Sequence, residues 1–500
     1  MNQETRRPLD SIDRIREYFA ASPVPYRFIS ATNFNLMGLH EWVGNWQNIN
    51  LVDCYDGAHP RVRLVADDRS RNFTSLEEIN RHLLERGLAG EGSPQGEKSD
   101  APAPRALFLF FDESIEASCH RMGVRIALPP NRLVQEIDSK IVTTELGDQA
   151  GVPSVPNRLA KIGSFAELRR VAAQAGLGER WVVQTAYGDS GKTTFFIDNE
   201  VDYLKVARKL SAEAQVKVMR RVNCRGTAIE ACATRWGTFV GPLLTELIGD
   251  PGLTPYPGGW CGNELYPESF PAAIRQQALE KTKALGQALY QRGYRGYFEV
   301  DYLIDRDTGE LYLGELNPRI TGISAMTNLS DFSARTVPLF LFHLLEYDDG
   351  VELTLDVEAF NRAMLAQGAQ GIAAQMILKY TEEPLQMITA APVSGVYRME
   401  ANGGLKLERP GYDRRAALGA DEAFILRILT AGEYAYKGAD LAILFVNQVI
   451  GDDAGRLGPT GLKWLAGLKG LFGFRALDAR ERALLARVRT PSINKSGPAR

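Results

Sequence analysis

Between Gly296 and Ser324 the chain runs GYFEVDYLIDRDTGELYLGELNPRITGIS, alternating apolar and polar residues on either side of a polar DRDTG segment. That period of two predicts a pair of strands joined by a turn. Side chains alternate faces along a strand, so the spacing puts Glu299, Asp301 and Leu303 on one face of the first strand. It puts Leu313, Glu315 and Asn317 on one face of the second, and across the turn the acidic ends meet.

Upstream, short apolar runs alternate with helical patterns: YRFIS near residue 26, NINLVDCYD near 48, RALFLFFDE from Arg105 and VRIALPP from Val124. This alternation predicts a parallel, doubly wound sheet. GLAGEGSPQGEKSDAPAP, rich in Gly, Pro, Ser and charge, is expected to be a mobile loop or insertion. Helices are predicted over DSKIVTTELGDQAG, closed by Gly151, and over Ser164 to Ala175, where Ser164 and Glu167 form a capping box. WVVQTAYGDSGKTTFFI reads as strand, Gly-containing loop and strand, followed by a helix from Val201 to Ala214 and a strand from Val216 to Val222. A long helix from Pro271 to Arg292 leads into the acidic hairpin, and a mostly apolar helix follows around Val337 to Leu345. The remainder is β-rich: GIAAQMILKY, SGVYRM, a turn at Asn402 and Gly403, GLKLER and DLAILFVNQ. The amphipathic stretch from Leu462 to Arg489 is expected to pack on the body, and PSINKSGPAR to be disordered.

With 500 residues the chain exceeds one typical core, so about two to four packed units are expected. A net charge of -3 gives no general attraction to nucleic acid or to an anionic membrane. Cys54, Cys119, Cys224, Cys232 and Cys261 form no CxxC pair, which favours reduced thiols over a disulfide scaffold or a zinc site. No apolar run approaches spanning length and the first residues have no signal core, so a cytoplasmic protein is expected.

Asp301, Glu315 and Asn317 offer two carboxylates and an amide oxygen, hard donors suited to magnesium held between a protein and nucleotide phosphates. The alternative is a surface hairpin with a solvated acidic face. It is weakened because Glu315 and Asn317 sit among Leu311, Leu313 and Leu316, where an unpaired carboxylate is costly. An EF-hand fails, since Gly309 falls fifth in DRDTGE and both flanks look extended. AYGDSGKTT, residues 186 to 194, almost spells a P-loop, but Ala186 replaces the first Gly and the following TTFFI is strand-like. Its amides, with Ser190, Lys192 and Thr193, can still close over phosphates, or the segment is simply a hairpin turn.

A helix-borne Lys140, a Gly-rich strand-loop-strand and an acidic hairpin ending in Asn-Pro-Arg, in that order, resemble the ATP-grasp superfamily over roughly Asp138 to Leu345. The C-terminal part is loosely similar to the last domain of biotin carboxylases, with SGVYRM as the best local echo. The resemblance implies ATP and Mg2+, with Mn2+ as a substitute. It matches Lys140 to a phosphate-binding lysine and Asp301, Glu315 and Asn317 to the metal ligands. Arg319 matches the arginine that steadies substrate, and Gly188, Ser190, Gly191, Lys192 and Thr193 fall in the loop that covers the nucleotide. Glu299 is an extra acid beside the ligands. Gln184 stands where the family usually has a second phosphate lysine, with Lys192 as a candidate to compensate, and VKVMRRV lacks the acid that often meets adenine.

The implied chemistry is phosphoryl transfer to a carboxylate, giving an acyl phosphate that a nucleophile attacks. ITGISAMTN after Arg319 lacks the Gln-Val-Glu-His run of biotin carboxylases, and Thr-Gly there is closer to ligases joining a carboxylate to an amine. Bicarbonate activation and a non-catalytic nucleotide-binding module remain alternatives. For Arg319 a structural ion pair with Glu315 is the competing role; for PGGWCGNE, a loop in which Trp260 and Asn263 line an acceptor pocket competes with a simple turn. His343, on an apolar helix, is expected to be a satisfied core residue.

The fold class expected is thus α/β and α+β. An N-terminal doubly wound domain spans 1–138 and an ATP-grasp fold 139–348, with a mobile lid at about 181–218. A β-rich C-terminal domain spans 349–476 and a tail 477–500. Partners are small-molecule carboxylate and amine substrates, with no nucleic acid and no membrane, and a homodimer would be usual for such an enzyme.

Overall fold

The computed structural model describes residues 6–66, 73, 75–89, 102–188, 193–266, 268–329, 337–367, 373–417 and 419–482. The Gly-rich segment after residue 89 and the C-terminal PSINKSGPAR lie mainly or wholly outside the described residues, as do Ser190, Gly191 and Lys192.

The N-terminal sheet is parallel and has five strands, ordered Val62–Leu64, Trp46–Asn50, Tyr26–Ile29, Arg105–Phe108 and Arg125–Ile126. It is doubly wound. Ile15 and Phe19 of the Ile12–Ala21 helix pack with Tyr26, Phe28 and Trp46 on one side, while Leu83, Leu84 and Ile115 pack with Ile29, Ile49 and Phe108 on the other. The links from the central strand to its neighbour are not helical as expected. They hold only the short 3-10 turns Phe34–Leu36 and Leu39–Glu41, and the strand Val62–Leu64, three residues long, is too short to stand out by periodicity.

A small antiparallel sheet follows, ordered Asn157–Ala160, Val216–Arg220, Trp181–Gln184 and Thr194–Ile197. The helices Phe165–Gln174 and Glu200–Ala212 cover one face, burying Leu168, Val171, Tyr203 and Leu210 against Val183, Val216, Val218 and Ile197. Ser164 caps the first of these by accepting from the Glu167 amide at 3.2 Å, while Glu167 reaches back to the Gly163 amide at 2.8 Å. The other face, carrying Val182, Gln184, Lys217 and Met219, turns toward the rest of the molecule.

Ten antiparallel strands make the main sheet, from Leu311–Asn317 at one edge through Gly296–Asp305, Cys224–Thr234, Gly237–Ile248 and Trp260–Leu265 to Ala373–Lys379, Asp440–Val446, Glu422–Arg427, Gly395–Met399 and Leu405–Pro410. The sheet therefore continues across residue 349, where a boundary was expected. The helix Ala272–Gln291 lays Ala278, Leu285 and Leu289 on Val300, Tyr302 and Leu313. The helix Phe340–Glu346 fills the space between this sheet and the N-terminal one. On it His343 is a core residue, accepting from the Tyr297 amide at 3.0 Å with its other nitrogen 2.7 Å from the Ala127 carbonyl. Near the C-terminus the helix Pro459–Lys469 buries Trp464, Leu465 and Leu468 on the protein body, as its amphipathic pattern requires.

Candidate active site

The acidic hairpin forms, with one departure from the alternation. Glu299 pairs with Asn317 and Asp301 with Glu315, but Tyr302 then pairs with Leu313, leaving Gly314 as an extra residue. This bulge turns Leu313 away from Glu315 and into the apolar core beside Val300 and Tyr302, correcting the expectation that Leu313 shares the acidic face. A side chain at Gly314 would come within 2.9 Å of the Asp301 carbonyl oxygen, so the backbone approach needs glycine. The bulge thus reconciles two demands: leucines against the helix, acids on the opposite face.

Other elements converge on that face. Lys140, at the start of the Lys140–Gln149 helix, is 4% exposed and places Nζ 2.6 Å from Glu315 Oε1 and 3.2 Å from the Gly188 carbonyl oxygen. Its amide donates to the Ala186 carbonyl at 2.8 Å, so the segment after Gln184 is tied to the helix that carries the lysine. Arg319 donates to Asn317 Oδ1 at 3.0 Å and lies 3.9 Å from Asp138, not against Glu315. Asn317 in turn donates to Asp301 Oδ2 at 3.4 Å, while Asp301 Oδ1 is buried without a partner. On the small sheet Gln184 donates to Thr194 Oγ1 at 3.0 Å, and its Oε1 is also buried and unpartnered. Thr193 closes the loop by accepting from the Thr185 amide at 3.3 Å.

Strand pairing adds acids that linear spacing does not reveal. Glu230 pairs across the sheet with Glu299, and Glu246 reaches over Gly226, where a side chain would meet its Oε2 at 2.7 Å. Burial pushes Glu230 and Glu246 up to about 7, the latter helped by the Glu315 charge. Burial and then the neighbouring carboxylates hold Glu299 and Asp301 well above the usual carboxylate range. Hydrogen bonds from Tyr297, Ser324 and Thr321 offset part of the cost for Glu230 and fasten the segment after Arg319. So many acids crowded at one interior face are costly unless a cation joins them.

No family model matches the chain. A stretch of 202 residues is 24% identical to the carbamoyl phosphate synthase large chain of Methanothermobacter thermautotrophicus, covering 39% of this chain and 18% of that relative's length. Among solved structures, the phosphoribosylamine–glycine ligase of Thermotoga maritima is similar with a TM-score of 0.56 at 13% identity, over 91% of this chain and 98% of that one. The biotin carboxylase domain of the Hydrogenobacter thermophilus 2-oxoglutarate carboxylase, bound to MgADP, ADP and bicarbonate, is similar with a TM-score of 0.55 at 11% identity, over 91% of each chain. These neighbours are ATP-grasp enzymes.

The chain has the ATP-grasp fold. Lys140 joins the small four-stranded sheet to the acidic hairpin, reaching the Gly188 carbonyl of the loop on one side and Glu315 on the other. Asp301, Glu315 and Asn317 fit a magnesium ion by their chemistry: Asp301 Oδ1 has no partner, and Asn317 Oδ1 keeps a lone pair beside the one given to Arg319. Among the described residues no three His, Cys, Asp or Glu side chains form a ready metal cluster, so water and phosphate oxygens would complete the shell.

PGGWCGNE divides: Pro257 to Gly259 make the expected turn, with the Gly259 amide donating to the Tyr256 carbonyl at 2.9 Å, but the rest is not a loop. Trp260–Leu265 is an interior strand of the ATP-grasp sheet, in which Trp260 Nε1 donates to Asn263 Oδ1 at 2.7 Å and Asn263 Nδ2 to the Thr245 carbonyl at 2.8 Å. Cys261 is buried there, burial pushing its thiol up to about 12, which suits packing and not nucleophilic attack. Lys217, in VKVMRRV, carries no linear signal of a role and reaches this region through the pairing of its strand with Trp181–Gln184.

Proposed function

We propose that this chain is an ATP- and magnesium-dependent ligase that activates a carboxylate as an acyl phosphate and joins it to an amine. The observation that carries the reading is the run of contacts Lys140, Glu315, Asp301, Asn317 and Arg319, which gathers two cations, two acids and an amide from separate elements on one sheet face. Lys140 would hold the nucleotide phosphates, and Asp301, Glu315 and Asn317 the metal. When bound, magnesium would neutralise charge on the polyphosphate.

The substrate carboxylate oxygen attacks the terminal phosphorus of ATP and ADP leaves, giving the acyl phosphate. The amine nitrogen then attacks the acyl carbon, inorganic phosphate leaves, and the nitrogen gives up a proton. In-line positioning supplies much of the acceleration in such transfers. Arg319, anchored by its hydrogen bond to Asn317, can grip the carboxylate through two parallel hydrogen bonds and then the oxyanion formed on attack. The 186–188 backbone, bonded to Lys140, would cover the phosphates and shield the acyl phosphate from water.

The neighbours support this reading by name, one as a ligase of an amine with glycine and one as a bicarbonate-binding carboxylase domain. No described helix is long and apolar enough to cross a membrane. The test is a screen of paired carboxylates and amines for ADP and phosphate release, with mass detection of the condensed product. Turnover that requires biotin and bicarbonate and ignores amines would replace the ligase reading; nucleotide binding with no turnover on any pair would replace it with a sensor.

A further inference from the structure

Lys217 is 1% exposed and lies on the Val216–Arg220 strand directly opposite Gln184. Paired residues of an antiparallel ladder share a face, so Lys217 and Gln184 both point away from the helices and toward the acidic face of the main sheet. Its Nζ donates to Ser154 Oγ at 2.9 Å, and among the described residues no carboxylate pairs with it. Lys140 is close enough to repel it, and Glu315 and Asp148 are close enough to attract it without pairing with it. A buried ammonium held by one hydroxyl and facing a second lysine is an expensive arrangement. Burial accordingly pushes Lys217 down to about 7. An anion between the two lysines removes the cost, and Gln184, a neutral amide in the neighbouring position, cannot supply that charge.

Resting on the ATP-dependent reading above, we infer that Lys217 is the second cation of the nucleotide phosphate site, reaching from the strand next to Gln184 what a lysine at position 184 would otherwise provide. The charge has moved one strand sideways within the same ladder row. Lys140 then approaches the polyphosphate from the helix and Lys217 from the lid sheet, while Gln184 Oε1, buried and unpartnered, is left to accept from a hydroxyl or amino group of the nucleotide.

The test is calorimetric titration of the full chain with ATP plus magnesium, and separately with adenosine. In Lys217→Met, ATP affinity is expected to fall at least about tenfold while adenosine affinity stays within about twofold, because only phosphate contact is lost. Gln184→Lys in the Lys217→Met background is expected to restore most of the ATP affinity by returning the charge to the same row. A merely structural lysine would give neither the selective loss nor the rescue. If Lys217→Met does not fold, Lys217→Gln takes its place in the same comparison. Lys217→Met binding ATP as the unmodified chain does, or losing ATP and adenosine equally, would overturn the inference. Absence of ATP binding by the unmodified chain would instead overturn the ligase reading beneath it.

Discussion

Lys140 Nζ and Glu315 Oε1 meet at 2.6 Å, joining the helix that follows the N-terminal sheet to the edge strand of the main sheet. The two groups would part when each finds its own partner, phosphate for the lysine and metal for the carboxylate. Lys140→Met is therefore expected to lower kcat for ADP release by roughly 10²–10³, the usual loss when one electrostatic contact to a reacting group is removed. Glu315 is 31% exposed, so the stability cost of breaking the pair should stay near or below about 1 kcal/mol in a urea titration.

Asp301→Asn combined with Glu315→Ala removes charge from a crowded face. Thermal unfolding of nucleotide-free Asp301→Asn alone at pH 8 should occur at the same or a higher temperature, because like-charge repulsion and carboxylate burial are relieved, whereas adding Glu315→Ala, which leaves buried Lys140 without its carboxylate, should give back part of that gain. The upward shift in melting temperature that MgATP gives the unmodified protein should vanish, along with turnover. Turnover that survives would move the metal elsewhere.

Gly314→Ala tests the bulge. Its new methyl meets the Asp301 carbonyl oxygen at 2.9 Å, and the strand must shift to relieve it. A loss of about 1–3 kcal/mol in denaturant stability is expected. Turnover should fall further than stability alone explains, since Glu315 and Asp301 are the residues displaced.

Stability should also depend on pH in two windows. Glu230 and Glu246 keep their protons up to about 7 in the folded chain, whereas unfolded glutamates release them near 4.5. Between these values the folded state binds more protons, so unfolding free energy falls as pH rises from 4.5 to 7. Lys217 acts oppositely: folded, it loses its proton near 7, and unfolded near 10.5, so stability climbs as pH rises above 7. Urea titrations across pH should show the first slope reduced in Glu246→Gln and the second in Lys217→Met.

The acidic hairpin was legible because its chemistry and its geometry repeat over neighbouring residues: Glu299, Asp301, Glu315 and Asn317 fall on one face at short range. The strand-loop-strand around Gly188 and the strand SGVYRM were legible for the same reason. Leu313 was misplaced because a single inserted glycine changes the phase of a strand, and periodicity carries no mark of it. Glu230, Glu246 and Lys217 were missed because each is brought to the site by pairing with a strand distant in sequence. EAFILR, the strand Glu422–Arg427, was overlooked since burial on both faces leaves no alternation to detect. Trp260–Leu265 is hidden by the turn glycines Gly258 and Gly259 just before it, and its own Gly262 sits against the Gln375 backbone within the sheet.

Ala373–Lys379 hydrogen-bonds to Trp260–Leu265, so the two halves of the main sheet are one ladder. A chain severed near residue 349 would leave Trp260–Leu265 with a bare row of amides and carbonyls, an adhesive edge that invites clumping with other copies. The C-terminal strands therefore serve as a buttress for the sheet that carries the acidic hairpin, and an excised fragment would need a replacement neighbour to stay dispersed.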